Sequence, residues 1–444
     1  MKKESVMAAI AVGWLLCSCR LDLTFEKRDA ADDDGVFSDE TAEVREDHAV
    51  ETDLQEIPGD PAVDDAAAED SRVDDGDAGE EEPRREDWLD GWARRVRFSI
   101  DPDDIEAPLS DFPLLVFLGI ASGRDGQDVS FVFDELPGHE DRRKIAVTAS
   151  DGVTQCHVEV ESWDGTGRQA WLWVKVPAVS SSSETELYLY FDAAKPDNTG
   201  YVGDPGSEPA GHVWSDNYLM VLHMSETSGN HRDSTSNGNT GATSAQLDQG
   251  VPARINGGDF FDGTAAEADA IAWSSTDFNL DYDDSFTFEL WMKTAAGFCY
   301  PMAKGMSDRG YQLSIQNDGD LIFNMRVNGA SRMISRRVDA LVNDDAWHHV
   351  VVSYDGSRYV AGLWIYVDAN IAYTQFETND VLAGDSMQSD SIFYVGRNSA
   401  VPYWYEGFMD EFRISGAARS EAWIRADYES QRDHLISFGP LEYY

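Results

Sequence analysis

The sequence predicts an all-β protein in which two β-sandwich domains follow a disordered acidic stalk. Three observations carry this reading. Short runs that alternate apolar and polar residues recur along most of the chain and are punctuated by turn dipeptides such as Asn237-Gly238, Asp318-Gly319 and Asp355-Gly356. Helical spacing is confined to 420–431, where Trp423, Ile424 and Tyr428 fall on one side. From Arg20 to Asp87 there are 27 acidic residues against 7 basic ones and almost no apolar periodicity, a composition that cannot offset its ordering entropy by burial.

A length of 444 residues with 42% hydrophobic side chains leaves room for about two or three domains with real cores. The 83 acidic and 34 basic side chains give a formal charge of -49, which repels phosphate backbones and anionic headgroups. Nucleic acid is thereby excluded as a partner and a cation is favoured. At the start, Lys2 and Lys3 precede an apolar run over 6–16, and Leu16-Cys17-Ser18-Cys19 sets a small residue before a cysteine. The run is an export signal too short to span a bilayer. It resembles the bacterial lipoprotein lipobox, which implies that 1–18 is a signal peptide and that Cys19 carries a lipid. Cys17 fits less well because Leu16 is bulky, and an ordinary cleaved signal peptide is the alternative. Arg20 follows in place of the Asp that retains such proteins at the inner membrane, so the expected location is the outer membrane, at the cell surface or its periplasmic face. Only the lipid would touch the membrane. Residues 19–87 then form a tether, with a reach on the order of 50 Å as a flexible coil. Cys156 and Cys299 fall in different domains; two buried thiols are favoured over one interdomain bridge.

Residues 88–211 read as the first sandwich. Alternation over 95–100, an apolar run over 112–118, alternation over 129–133, and strands at 156–160, 170–177 and 186–191 follow one another without helical spacing. Trp88, Phe112-Pro113-Leu114-Leu115-Val116, Glu161-Ser162-Trp163-Asp164, the 173–177 strand and the 188–191 strand together resemble the bacterial family named domain of unknown function 2341. The resemblance implies a secreted protein and says nothing about activity. Tyr190-Phe191-Asp192-Ala193 departs from the family's Tyr-Tyr-Gly-Asn ending and leaves the role of that turn in doubt. Ser180 to Ser183 read as a turn.

Residues 212–444 read as the second sandwich, opened by Val213-Trp214 and 218–223 after a Gly- and Pro-rich connection. Its strands are expected at 259–261, 285–293, 311–316, 321–327, 349–354, 363–367, 392–396 and 408–414. Trp347-His348-His349-Val350-Val351-Val352-Ser353-Tyr354-Asp355-Gly356, followed by Gly407-Phe408-Met409-Asp410-Glu411-Phe412-Arg413-Ile414, resembles the laminin-G-like, concanavalin A-like jelly-roll family. The resemblance implies a module that binds glycan or a cell-surface protein and does no catalysis.

The chemistry-bearing candidates are few. Asp233-Ser234-Thr235-Ser236-Asn237-Gly238-Asn239 alternates oxygen-bearing side chains before a glycine, a pattern able to wrap calcium. It is not an EF-hand, since Ser244 stands where the bidentate Glu belongs. The resemblance adds Asp410 from the last strand as a calcium ligand, and period-two alternation sets Phe408, Asp410, Phe412 and Ile414 on one face, aimed at the core. The alternative is a solvated turn and an Asp410 satisfied by backbone amides or Arg413. Tyr403, Trp404 and Tyr405 lie in a loop and offer flat faces on which sugar rings can stack; the alternative is that they cap the core. His348 and His349 read as structural. No Glu-x-Asp-x-x-Glu occurs, Asp410 and Glu411 are expected on opposite faces, and neither a phosphate-binding glycine loop nor His-Glu-x-x-His is present. The expectation is a lipid-anchored envelope protein that binds or adheres, with a purely structural protein and a glycan hydrolase as the rival readings.

Overall fold

The computed structural model describes residues 86–444 apart from 265–268, 306–307, 328–331, 380–381, 383–385 and 399–400. The signal peptide, Cys19 and all but the last two residues of the acidic stalk lie outside the described residues.

Among the described residues the first sandwich has a five-stranded and a four-stranded sheet. The five run in the order Ile436–Tyr443, Arg94–Ile100, Thr185–Phe191, Ile145–Ala149 and Gln155–Cys156; the four run Leu109–Leu118, Gln169–Val179, Val158–Asp164 and Val202–Gly203. Alternation places Val96, Phe98 and Ile100 from one sheet against Leu114, Leu172, Val174 and Val158 from the other in a single buried core. The expected strand at 129–133 is absent. Asp128 accepts a hydrogen bond from the Ser130 amide and bends the chain into the short helix Val132–Glu135, so the apolar pair Val132 and Phe133 is buried from a turn of helix.

The second sandwich stacks two larger sheets. One orders the strands Ala242–Thr243, Ile271–Trp273, Phe393–Val395, Cys299–Gly305, Gly310–Ile315, Leu321–Val327, Arg332–Asp339 and Tyr373–Asn379. The other orders Asp248–Pro252, Gly257–Asp262, Glu406–Ser415, Phe286–Lys293, Trp347–Tyr354, Leu363–Val367 and Asn370–Ile371, with Tyr218–Leu222 pairing along the second half of Glu406–Ser415. Inward residues of both sheets, among them Phe288, Leu290, Phe323, Phe393 and Phe412, form one aromatic-rich core.

The expected assignment of all of 212–444 to the second sandwich needs correction at its C-terminal end. The chain leaves the second sandwich through the helix Glu421–Gln431 and returns to the first, where Ile436–Tyr443 pairs antiparallel with Arg94–Ile100. A solvent-exposed first strand would have left an open sheet edge, and the returning strand covers it. The helix starts where the Ser420 hydroxyl accepts the Trp423 amide at 3.2 Å. It packs between the sandwiches rather than on one edge. Trp423 meets Phe112 edge-on at 5.2 Å, while Tyr428 stacks on Trp291 at 5.6 Å. Cys156 and Cys299 are both free and buried, and burial pushes each thiol up to about 12.

Candidate functional site

The loop before the last strand of the second sandwich divides its three aromatic residues. Tyr403 is 48% exposed and meets Phe298 edge-on at 4.9 Å, and Phe298 in turn meets Tyr300 at 5.2 Å. Trp404 is half-buried and bridges Tyr300 through the backbone. Tyr405 does not belong to this surface. It is fully buried, edge-on to Phe261, and its hydroxyl donates to the Phe408 carbonyl at 2.9 Å. Two residues apart, Tyr403 and Tyr405 would share a face in a regular strand; the irregular segment before Glu406–Ser415 breaks that rule and sends Tyr405 into the core, so its expected role in ligand contact is replaced by a packing role. Glu406 and Phe408, in the strand that follows the loop, line a recess of about 230 Å³ together with Phe260, Lys293, Thr294 and Asp345. A second aromatic surface escaped the sequence reading. Tyr373 (76% exposed) and Phe376 (57%) stand on the edge strand Tyr373–Asn379, and Trp364 lies under the Arg336 guanidinium at 5.0 Å.

Asp233, Asn237 and Asp410 do not form the expected calcium cage. The Asp233 carboxylate accepts from Val221 N (3.1 Å), Thr235 N (2.9 Å), Thr235 Oγ1 (2.8 Å) and Asn239 N (2.7 Å), which uses every favourable acceptor position it has. Val221 directs its amide to Asp233 and its carbonyl to Ser234 N, while its pair partner Arg413 lies on the strand at its other edge. The loop is therefore separated from Glu406–Ser415 by a whole strand. The Asn237 amide donates to the Tyr218 and Leu219 carbonyls. Asp410 Oδ2 accepts from Ile255 N at 2.7 Å. Each residue serves its own turn or strand.

Asp410 also faces the opposite way from the alternation rule. The register between Phe286–Lys293 and Glu406–Ser415 shifts between Trp291↔Asp410 and Glu289↔Arg413, and Glu411 has φ 51. This is a β-bulge. Met409 and Phe412 both point into the second core, and Asp410 and Glu411 share the other face. The two adjacent carboxylates, expected on opposite faces, are buried together against the first sandwich.

That face is a polar layer between the sandwiches. Arg413, 1% exposed, donates to Glu411 Oε2 at 2.7 Å and to Asp427 Oδ1 at 3.3 Å, with its guanidinium over Trp173 at 4.4 Å and Trp214 at 4.9 Å. Burial opposes its charge, but Glu289, Glu411 and Asp427 outweigh this and hold it well above the usual arginine range. His223 stands between three carboxylates: Nδ1 is 2.8 Å from Glu411 Oε1 and 3.6 Å from Glu161 Oε2, and Nε2 is 3.3 Å from Glu159 Oε2. Glu159 further accepts from the Trp214 indole and from Ser234; Glu161 accepts from Trp173 Nε1 at 2.9 Å. Burial pushes Glu161 up to about 8, helped by Glu411 and Glu159 and opposed by His223. Glu411 is drawn below the ordinary range because His223 and Arg413 overcome its burial.

The two histidines read as structural sit beside a neighbouring part of this layer. His349 is buried against Trp291 and Tyr428, with Nε2 3.2 Å from Glu289 Oε1, and burial lowers it to about 4. His348 bridges Asp344 and Asp368. Sequence spacing could not reveal these partners, because Glu159, His223, Glu289, Glu411 and Asp427 come from five separate elements.

Residues 262–425 match the family described as the concanavalin A-like lectin/glucanases superfamily, and residues 141–204 match Domain of unknown function (DUF2341). No curated protein matches the chain. Similar solved structures include the binding domain of Paraclostridial Mosquitocidal Protein 1 (14% identity, TM-score 0.39, 48% of this chain and 52% of that one). The botulinum neurotoxin serotype D binding domain (12%, 0.38, 49% and 52%) and the serotype G binding domain (16%, 0.37, 48% and 51%) are further examples. The chain thus spans about half the length of the solved structures it matches. It carries a domain of unknown function 2341 followed by a concanavalin A-like domain of the lectin and glucanase superfamily.

Proposed function

We propose that the chain is a binding protein of the bacterial cell envelope, anchored by a lipid on Cys19, whose second sandwich recognises a glycan or a glycan-bearing surface protein. The observation that supports this most directly is the exposed Tyr403 ring, held edge-on by Phe298 in the loop that leads into Glu406, a residue that lines a recess with Lys293 and Asp345. A rigid apolar face next to charged hydrogen-bonding groups suits a sugar ring, which has apolar faces and a polar rim. Calcium has no part in this reading. A glycan hydrolase fits less well: glycosidases need two carboxylates within reach of substrate, and the closely grouped Glu161 and Glu411 are sealed between the sandwiches with side-chain exposures of 0%. The test is a glycan array probed with the full folded region, followed by titration of any hit. Binding that disappears in Tyr403→Ala with an unchanged melting temperature supports the reading; an array without hits, together with no capture of envelope glycans, leaves a structural protein. Lipid attachment is tested separately by labelling with a palmitate analogue, which Cys19→Ala should abolish.

A further inference from the structure

We propose that Glu161, His223 and Glu411 form a site for one divalent transition-metal ion with the size and donor preference of zinc, clasped between the two sandwiches. The three side chains come from Val158–Asp164 in the first sandwich, from the end of Tyr218–Leu222 and from Glu406–Ser415 in the second. One ligand atom from each lies within 4.8 Å of the others. His223 Nδ1 is 2.8 Å from Glu411 Oε1 and 3.6 Å from Glu161 Oε2. Tetrahedral zinc with bonds of about 2.0–2.1 Å sets its donor atoms roughly 3.3 Å apart, between those two separations. Calcium wants about six to eight oxygens at longer bonds and does not accept an imidazole readily, so this donor set selects against it.

The groups around the three are those that orient metal ligands. His223 offers Nδ1 to the site while Nε2 faces the Glu159 carboxylate at 3.3 Å, the arrangement in which a carboxylate fixes the tautomer and ring plane of a ligating histidine. Trp173 Nε1 holds Glu161 at 2.9 Å, and Arg413 holds the distal oxygen of Glu411 at 2.7 Å. A separate observation also asks for a cation. Asp410, next to Glu411 on the bulge and repelled by both Glu411 and Glu161, is fully buried, and its Oδ1 has no hydrogen-bond partner. Four carboxylates, those of Glu159, Glu161, Asp410 and Glu411, thus converge on one buried layer beside Arg413, with Arg254 also acting on Asp410, and such an acidic cluster favours a bound cation. An ion bound there takes the place of the proton on His223 Nδ1 and of the one that burial favours on Glu161, both of which are released to solvent on binding. The neighbouring trio Glu289, His349 and Asp427 is a poorer host, because Arg413 and Gln431 already occupy its oxygens.

The test is zinc binding by the full chain, followed by competition with a chromophoric chelator and by elemental mass spectrometry. One zinc per chain is expected, with a zinc-dependent rise in melting temperature and an X-ray absorption spectrum showing nitrogen and oxygen donors that include one imidazole. Glu161→Gln keeps the acceptor for Trp173 and should stay folded, as checked by circular dichroism, yet weaken zinc at least about tenfold; His223→Gln should abolish binding. Absence of stoichiometric zinc, with nitrogen NMR showing a doubly protonated His223, overturns the proposal. So does zinc binding that is unchanged in a folded Glu161→Gln variant, since the ion would then be adventitious.

Discussion

Phe98, on the first strand of the first sandwich, pairs with Phe438 on the returning C-terminal strand, their ring centroids 5.8 Å apart. The strand that covers one sandwich is therefore delivered by the other, and the helix and polar layer between them are shared. The chain enters the second sandwich and returns to complete the first, so the two domains are interlocked in sequence as well as in space.

The first prediction follows from that strand. Deleting 435–444 removes the buried Leu435 and Ile436 and exposes the edge of Arg94–Ile100. A loss of about 3–5 kcal/mol is expected, comparable to large deletions in a core. Urea unfolding of the shortened chain should give a lower midpoint, and residues 88–211 expressed alone should lack a cooperative transition. An unchanged midpoint would mean that the returning strand is dispensable.

The second concerns Arg413. Removing one partner of a buried charge network leaves the others uncompensated, so Arg413→Ala should cost about 3–5 kcal/mol because Glu411, Asp427 and Glu289 lose their cation. Arg413→Lys should recover only part of the loss, since a single ammonium cannot reproduce the planar fork between two indoles. Equal stability of Lys and Arg variants in chemical denaturation would refute the stacking argument.

The third concerns pH. His231 is fully buried, with Nδ1 2.6 Å from Glu226 and Nε2 2.7 Å from Asp259. Burial disfavours its charge, but hydrogen bonds to Asp259 and Glu226 dominate and raise it to about 9. A raised folded value binds protons more tightly than the unfolded chain does. The stabilisation is therefore complete below the ordinary histidine range near 6.5 and is lost as pH rises through about 9. Asp259 is pushed up to about 6 by burial while Glu226 is lowered, so both acids are ionised across this window and the alkaline limb reports His231. Melting temperature should fall between pH 7 and 9.5 more steeply in wild type than in His231→Gln. Parallel profiles for the two proteins would rule out this histidine as the cause.

The fourth separates Tyr403 from Tyr405. Tyr405→Ala empties a fully buried site and should cost about 3–5 kcal/mol, whereas Tyr403→Ala, on a half-exposed ring, should stay within about 1 kcal/mol. Ligand affinity should respond the other way at constant fold, with Tyr403→Ala the damaging change. Comparable thermal shifts in both variants would show that Tyr403 is also a packing residue.

What the sequence determined by itself was local. Period-two alternation and Asp-Gly turns specify strands and hairpins such as Gly310–Ile315 with Leu321–Val327, because pleat and turn chemistry act over a few residues. The family resemblances carried the order of the two domains for the same reason: strand runs around Trp173 and around Trp347 to Gly356 are short-range patterns. The tertiary structure decided everything that depends on distant chain segments meeting. It placed Ile436–Tyr443 in the first sandwich, since a free sheet edge accepts whichever strand arrives with matching register. It turned Asp410 and Glu411 to one face through a single inserted residue, which breaks the alternation that any reading of faces from sequence assumes. It also gathered Glu161, His223 and Glu411 between two sheets and filled the Asp233 carboxylate with local amides, because burial rewards any polar group that finds a partner and is indifferent to how far along the chain that partner lies.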